Sequence, residues 1–222
     1  MSTLDHYFAG HFLNAEQTAS ASGIRVAELD ALIDARCVPE PSYVVSKDGT
    51  VCSFVFGEMA APGATPGRYF HPAQAVWIAR AQQLGTEARL REQFVLQFAA
   101  ALATLNLSTW RLRDSFDASG APIAEGLRAR TDNAWKFFLN GTFNLCVANP
   151  IAEAQIAYKE ILQEKLTQLS DNGGKHVYDA AQVPLMTALI DAYAAAAMPF
   201  SPVEYAKSSR KRLVEDLRVY LR

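Results

Sequence analysis

The stretch FLNAEQTASASGIRVAELDALIDARCVPEP, residues 12–41, decides how the chain begins to fold. Asn14 and Gln17 have the reciprocal spacing of a capping box, so a helix starts after Asn14. Gly23 stops that helix, because glycine takes the left-handed backbone of a helix end without a Cβ penalty. Val26, Leu29, Leu32 and Ile33 then share one face of a further helix over 26–37, which Pro39 and Pro41 end. Upstream, Leu4, Tyr7, Phe8 and Phe12 recur at three-to-four spacing and make a first helix, capped by Ser2.

Downstream, Tyr43-Val44-Val45 and the run Val51–Phe56 are rich in β-branched and aromatic side chains and flank Lys47-Asp48-Gly49. An Asp-Gly pair between two such runs marks a hairpin. Residues 57–67, with Pro62, Gly63, Pro66 and Gly67, read as a loop. A helix pair about a glycine turn followed by one hairpin is the outline of a winged helix-turn-helix.

From Pro72 onward the spacing is helical. Pro72 suits a first helical position and Gly85 closes that helix. Thr86 caps the next, which carries Leu90, Phe94, Phe98, Leu102 and Leu105. Ser108 is expected to open a short helix around Trp110 and Leu112, and residues 115–124 to form a loop. A helix over 131–147 follows, then a long one opened by Asn149-Pro150, a turn at 171–174, and a helix over 180–197 capped by Asp179. Ser201-Pro202 starts a short helix, and Ser208 or Ser209 caps the last. The expected fold class is mainly α: a winged helix-turn-helix-like module with one β-hairpin at 1–70, followed by an all-helical bundle at 71–222.

The 222 residues are an ordinary globular mixture with a net charge of −2. Residues 1–70 hold four basic side chains against eight acidic ones, whereas the end of the chain is basic, with Lys207, Arg210, Lys211, Arg212, Arg218 and Arg222. That balance argues against a general nucleic-acid binder, which needs an excess of Lys and Arg. Cys37, Cys52 and Cys146 lie far apart and fit no disulfide framework or CxxC pair. With no leader and no apolar run near 18 residues, a cytoplasmic, reduced protein that avoids membranes is expected. No cofactor or metal signature is evident: HExxH, GxSxG and Gly-rich phosphate loops are missing from the sequence.

Two stretches could carry chemistry. In RARTDNAWKFFLNGTFNLC, residues 128–146, Lys136, Asn140 and Asn144 fall at i, i+4 and i+8 of one helix, between Trp135, Phe137, Phe138, Leu139 and Phe143. Such a stripe is either an exposed helix edge, with an Asn serving the backbone near Gly141, or one wall of a pocket with Arg130 and Asp132 near its mouth. In PFSPVEYAKSSRKRL, residues 199–213, Ser208, Ser209 and Arg210 stand where a helix begins, so hydroxyls, free N–H groups and a guanidinium could meet an anion. Simple capping is the alternative, with Glu204 pairing Lys207 or Arg210. The candidate substrate-binding residues are thus Arg130, Lys136, Asn140, Asn144, Ser208, Ser209 and Arg210; no catalytic residue is identified.

Residues 12–41 resemble the N-terminus of MerR-type proteins in their helix, glycine turn, second helix and proline exit. GRYFHPAQAVWIARAQQLG, residues 67–85, resembles the wing-to-helix junction of the same fold. A recognition helix brings Arg, Lys, Asn or Gln to bases and phosphates. Here that helix carries Glu28, Asp30 and Asp34 against Arg25 and Arg36, so the fold is expected without DNA binding. DHYFAGHFL (5–13), WKFFLNGTFNLCVANP (135–150) and PFSPVEYAKSSRKRLVEDLRVYL (199–221) resemble a bacterial family of unknown function labelled natural-product biosynthesis protein. That resemblance implies a place in secondary-metabolite pathways and no defined reaction. The leading expectation is an accessory protein or small-molecule enzyme that binds a polar or anionic ligand in the helical region. A ligand-responsive regulator of MerR-like type is the alternative, and a peptide- or carrier-protein-binding module a third. A pathway protein or a second copy of the chain stays open as a further partner.

Overall fold

Both reciprocal caps form in the computed structural model, which describes residues 2–221. Ser2 Oγ accepts the Asp5 N–H and opens α1 (Thr3–His11), while Asn14 Oδ1 accepts the Gln17 N–H and opens α2 (Ala15–Ala21). Each such cap is worth about 1 kcal/mol. Gly23, at φ 66°, turns the chain into α3 (Val26–Asp34).

The single hairpin expected at 43–56 is part of a larger, five-stranded antiparallel sheet. Its strands are β1 (Leu13–Asn14), β2 (Tyr43–Val45), β3 (Thr50–Ser53), β4 (Gly57–Ala60) and β5 (Gly67–Phe70), in the order β1-β5-β2-β3-β4. The Asp48-Gly49 turn is where the sequence puts it, with Asp48 Oδ1 accepting the Thr50 N–H at 3.0 Å. The extra strands escape sequence reading for physical reasons. β1 is two residues long and overlaps a helix cap, and β4 is an edge strand whose mostly exposed residues show no apolar alternation. Both β4 and β5 begin at glycines of the stretch read as loop.

Seven further elements are α-helical or nearly so: α4 (Gln74–Leu84), α5 (Glu87–Ser108), α6 (Ala124–Leu139), α7 (Thr142–Cys146), α8 (Glu153–Leu169), α9 (Gln182–Ala196) and a π-helical segment, Lys211–Asp216. One-turn 3₁₀ pieces at Tyr205–Lys207 and Val219–Leu221 flank the last of these. Three helix expectations need correction. Ser108 ends α5 instead of opening a helix, since its hydroxyl turns back to the Thr104 carbonyl at 2.8 Å. α8 starts at Glu153, because the Pro150 carbonyl instead accepts the Trp77 indole N–H at 2.8 Å. The helix expected over 131–147 is two helices, broken at Gly141 with φ 75°. A Cβ there would lie 2.8 Å from the Glu40 carbonyl oxygen, and the Glu40 N–H donates to the Leu139 carbonyl at 2.8 Å. The proline exit segment therefore lies against the break.

The core divides into three clusters. The first joins Leu29 and Phe70 to Trp77, Phe94, Phe98, Trp135, Phe138 and Ile156, so it draws side chains from both sides of residue 70. The second sets α1 on the sheet, with Phe8 stacked on Tyr69 at 4.0 Å, and reaches Leu145, Cys146, Met198 and Phe200. The third joins α8, α9 and the C-terminal segment through Leu162, Leu166, Ile190, Tyr193, Leu213 and Leu217. Each large buried side chain contributes about 1.5–3 kcal/mol relative to exposure, so these clusters dominate the stability of the fold. Among the described residues no helix is long and apolar enough to cross a membrane.

Candidate functional site

Lys159 lies on the apolar stripe of α8, between Ile156 and Leu162, and is buried. An unpartnered ammonium there would be costly. Its Nζ donates to Glu160 Oε1 at 2.8 Å and to Gln163 Oε1 at 2.7 Å. Burial works to lower the amine's proton affinity, but the Glu160 carboxylate outweighs it and holds Lys159 charged. On the neighbouring helix, buried Tyr193 places its Oη 3.2 Å from Gln163 Oε1 and 2.7 Å from Ser209 Oγ. Cys146, at the end of α7, has its thiol pushed up to about 12 by burial, a shift that Lys159 opposes and Glu160 reinforces. A thiol this hard to ionise stays protonated and is not a nucleophile at neutral pH.

Lys159, Glu160, Gln163, Cys146 and Ser209 edge a cavity of about 530 Å³, with Tyr193 behind them. Its polar side is Lys159, Glu160 and Gln163 of α8 together with Lys207, Ser209 and Arg212 of the C-terminal segment. Its other side is Val55 and Phe56 from the turn between β3 and β4, Phe137 of α6, Thr142 and Cys146 of α7, and Phe200. Arg212 belongs to the π-helical segment, and its Nε is buried without a hydrogen-bond partner. π-helical turns are frequent at functional sites. Gly173, at φ 91°, makes room beside this side chain: a Cβ there would sit 2.9 Å from Arg212 Cγ.

A second buried group fixes the turn at the cavity's edge. Glu204 accepts hydrogen bonds from Tyr43 Oη at 2.6 Å, Ser201 Oγ at 2.7 Å and Ser53 Oγ at 3.3 Å. Ser53 Oγ in turn accepts the Phe56 N–H at 3.2 Å. The C-terminal segment thereby holds β2, β3 and the turn carrying Phe56 in one network. Burial raises the Glu204 carboxyl above the usual carboxylate range, with the three hydroxyls opposing the shift.

Of the residues expected to bind a ligand, Ser209 lines this cavity and the other six do not. Arg130 makes a double ion pair, with Asp114 at 2.9 Å and Glu164 at 2.6 Å, beside a separate cavity of about 590 Å³. Lys136 is exposed on α6 and lines neither of these two cavities. Asn140 caps the end of α6, its Oδ1 accepting from Thr142 Oγ1 at 2.7 Å and Thr142 N at 3.1 Å. Asn144 is buried and donates to Gln74 Oε1 at 2.8 Å. Ser208 Oγ accepts the Lys211 N–H at 3.0 Å, a helix cap. Arg210 donates to the Ala194 and Ala197 carbonyls at 2.7 and 2.9 Å and so closes α9. The stripe of Lys136, Asn140 and Asn144 does not exist as one face, because Gly141 resets the helical phase between its members.

The residues that sequence reading missed are Lys159, Glu160, Gln163, Lys207 and Arg212. A signal for Lys159 was present: a lysine in register with Ile156, Leu162 and Leu166 lies on the buried side of its helix. Among the described residues no group of three or more His, Cys, Asp or Glu is placed to hold a metal ion.

No curated protein and no solved structure matches this chain. The model of a family of unknown function, DUF6058, matches residues 90–222, which begin within α5 and include every cavity residue except Val55 and Phe56. The chain belongs to the DUF6058 family.

Proposed function

We propose that this chain binds a small anionic molecule in the cavity between α7, α8 and the C-terminal segment, as an accessory protein or small-molecule enzyme of bacterial natural-product biosynthesis. The observation that carries the binding reading is the Arg212 guanidinium, whose buried Nε lacks a partner at a cavity edge. Three cations line the cavity against one carboxylate, and Lys159 already uses that carboxylate. Among the described residues the buried Arg212 Nε has no acceptor and exposed Lys207 stands on the same cavity, so an anion reaching both supplies that acceptor and pairs two cations. The biosynthetic setting is supported by the resemblance at 135–150 and 199–221. The first block supplies Phe137, Thr142 and Cys146 to the cavity, and the second supplies Phe200, Lys207, Ser209 and Arg212.

In this reading residues 1–70 form a winged helix-turn-helix-like module that serves packing and shapes the cavity's edge. DNA is left out as its partner: Arg25 and Arg36, at the two ends of α3, are engaged by Glu28 and Glu87.

Titration of the full chain with inorganic phosphate and with butanoate tests the binding. Saturable binding that weakens about tenfold in Arg212→Gln, with the melting temperature kept, is expected; binding by both Arg212→Gln and Lys207→Gln as tight as that of the unaltered protein overturns the site. Metabolite profiles of a strain carrying Arg212→Gln on its chromosome test the setting. Loss of a secondary metabolite at normal growth is expected, and an unchanged profile overturns the biosynthetic role.

A further inference from the structure

The polar groups occupy only part of the cavity. Val55 and Phe137 are 38% and 42% exposed, come from the β3–β4 turn and from α6, and converge on the same cavity as Phe56 and Phe200. A single exposed apolar side chain is ordinary. Several converging on a concave site with a few cations opposite have the make-up of a ligand pocket for a molecule with both an apolar and a charged part. Phe56 and Phe200 meet edge to face at 5.6 Å, which fixes one ring against the other and presents a preformed apolar wall.

Volume leads to the same conclusion. A water occupies about 30 Å³ of liquid, so a bare phosphate or acetate fills a small share of such a space. An ion alone would leave the aromatic wall wet. The polar side also favours an anion over a neutral ligand, since Arg212 Nε is buried without an acceptor and three cations there face one carboxylate.

Resting on the anion-binding reading above, we propose that the ligand is an amphipathic anion: a carboxylate or phosphate held by Arg212, Lys207 and Ser209, carrying an acyl or aryl body that lies against Val55, Phe56, Phe137 and Phe200. The body is what brings residues 1–70 into the site, through the turn that Ser53 and Glu204 hold in place.

The test is calorimetric titration of the full chain with butanoate, hexanoate and octanoate and, in parallel, with inorganic, butyl and octyl phosphate. Affinity is expected to rise about fourfold per added methylene, the gain from burying that group. The carboxylate and phosphate arms show which head group is held more tightly. In Phe137→Ser and Val55→Ser, which alter partly exposed positions that the core does not depend on, the gain per methylene is expected to fall by half or more. In Arg212→Gln, octanoate binds at least tenfold more weakly. A flat series in the unaltered protein, with phosphate still bound, overturns the amphipathic ligand and leaves the anion reading standing. Absence of binding by every anion overturns both. An unchanged chain-length gain in the two serine variants, or unchanged octanoate affinity in Arg212→Gln, overturns the placement of the ligand.

Discussion

Tyr43 Oη donates to Glu204 Oε2 at 2.6 Å, joining a strand near the start of the chain to the segment that leads into the last helix. Among the described residues no cation stands among the causes that shift this carboxyl. Its acceptors are used by three hydroxyls, of Tyr43, Ser201 and Ser53, inside a site closed to water. Hydroxyl donors stabilise a buried carboxylate less than a cation does, which is why burial wins and the Glu204 proton is held more tightly than in water.

That balance sets the first prediction. Glu204 has a folded pKa above its unfolded one, so between the two values the native state binds more protons and stability falls as pH rises. Below the unfolded value the term is fully present, and it is lost once pH passes the folded value. Glu204→Gln removes the titration while keeping an oxygen for Tyr43 and Ser201, so the variant should match the native protein at low pH and exceed it at neutral pH. Glu204→Ala should instead lose about 2 kcal/mol or more, since buried hydroxyls are left unpaired. Urea unfolding of the three proteins from pH 4 to 8 measures this.

His71 titrates in the opposite sense. Burial holds its imidazole down to about 4, with the Ala148 carbonyl opposing and His11 adding to the shift. Its Nδ1 accepts the Ala73 N–H at 3.0 Å, which requires the neutral ring. Between about 4 and the unfolded value of 6.5 the unfolded chain binds more protons, so stability is lost as pH falls through that range. The full loss is about 3 kcal/mol at 1.36 kcal/mol per pH unit. His71→Asn, which can still cap Ala73, should show a shallower acid limb; an identical limb would refute the assignment.

Gly141 carries a third prediction. Gly141→Ala places a Cβ against the Glu40 and Pro41 carbonyl oxygens at 2.8 and 3.1 Å while holding φ at 75°. Strain of this kind costs about 1–3 kcal/mol, before any displacement of the exit segment. A drop in the urea midpoint with an unchanged m-value is expected, because one added methyl hardly alters the surface exposed on unfolding. No drop would mean that the exit segment yields freely.

The same residue explains how far the sequence could be read. Caps at Ser2 and Asn14, the glycine after α4 and the stripe of Leu90, Phe94, Phe98, Leu102 and Leu105 are local signals, and the structure keeps them. The two stretches singled out for chemistry do reach the cavity, but of the seven residues named as ligand-binding it is Ser209 alone that lines it. Helical phase carried across Gly141 put Lys136 in a pocket, whereas the break leaves it in solvent. The π-helical segment likewise alters the phase after Arg210, so Arg212 faces the cavity while Arg210 closes α9. β1 depends on a partner distant in sequence, β5, which no local pattern records, whereas β4 pairs with adjacent β3 but lacks apolar alternation.

Lys159 separates stability from binding. Replacing a buried charged group by an apolar one of similar volume is often neutral or stabilising, because the desolvation cost is removed with the charge. Lys159→Met leaves Glu160, whose side chain is 34% exposed, free to be hydrated, and leaves Gln163 bonded to Tyr193. Its melting temperature should therefore stay within a few degrees, while affinity for inorganic phosphate falls about tenfold. Glu160→Gln does the reverse, since it strands a buried ammonium whose partner is gone. Partial exposure of Glu160 moderates the cost, which is set at about 2 kcal/mol or more rather than the full value of a buried pair. An anion in the cavity can take the place of the lost carboxylate. Added phosphate or butanoate should then raise the melting temperature of Glu160→Gln by more than that of the unaltered protein. Equal shifts in the two proteins would show that the bound anion does not reach Lys159.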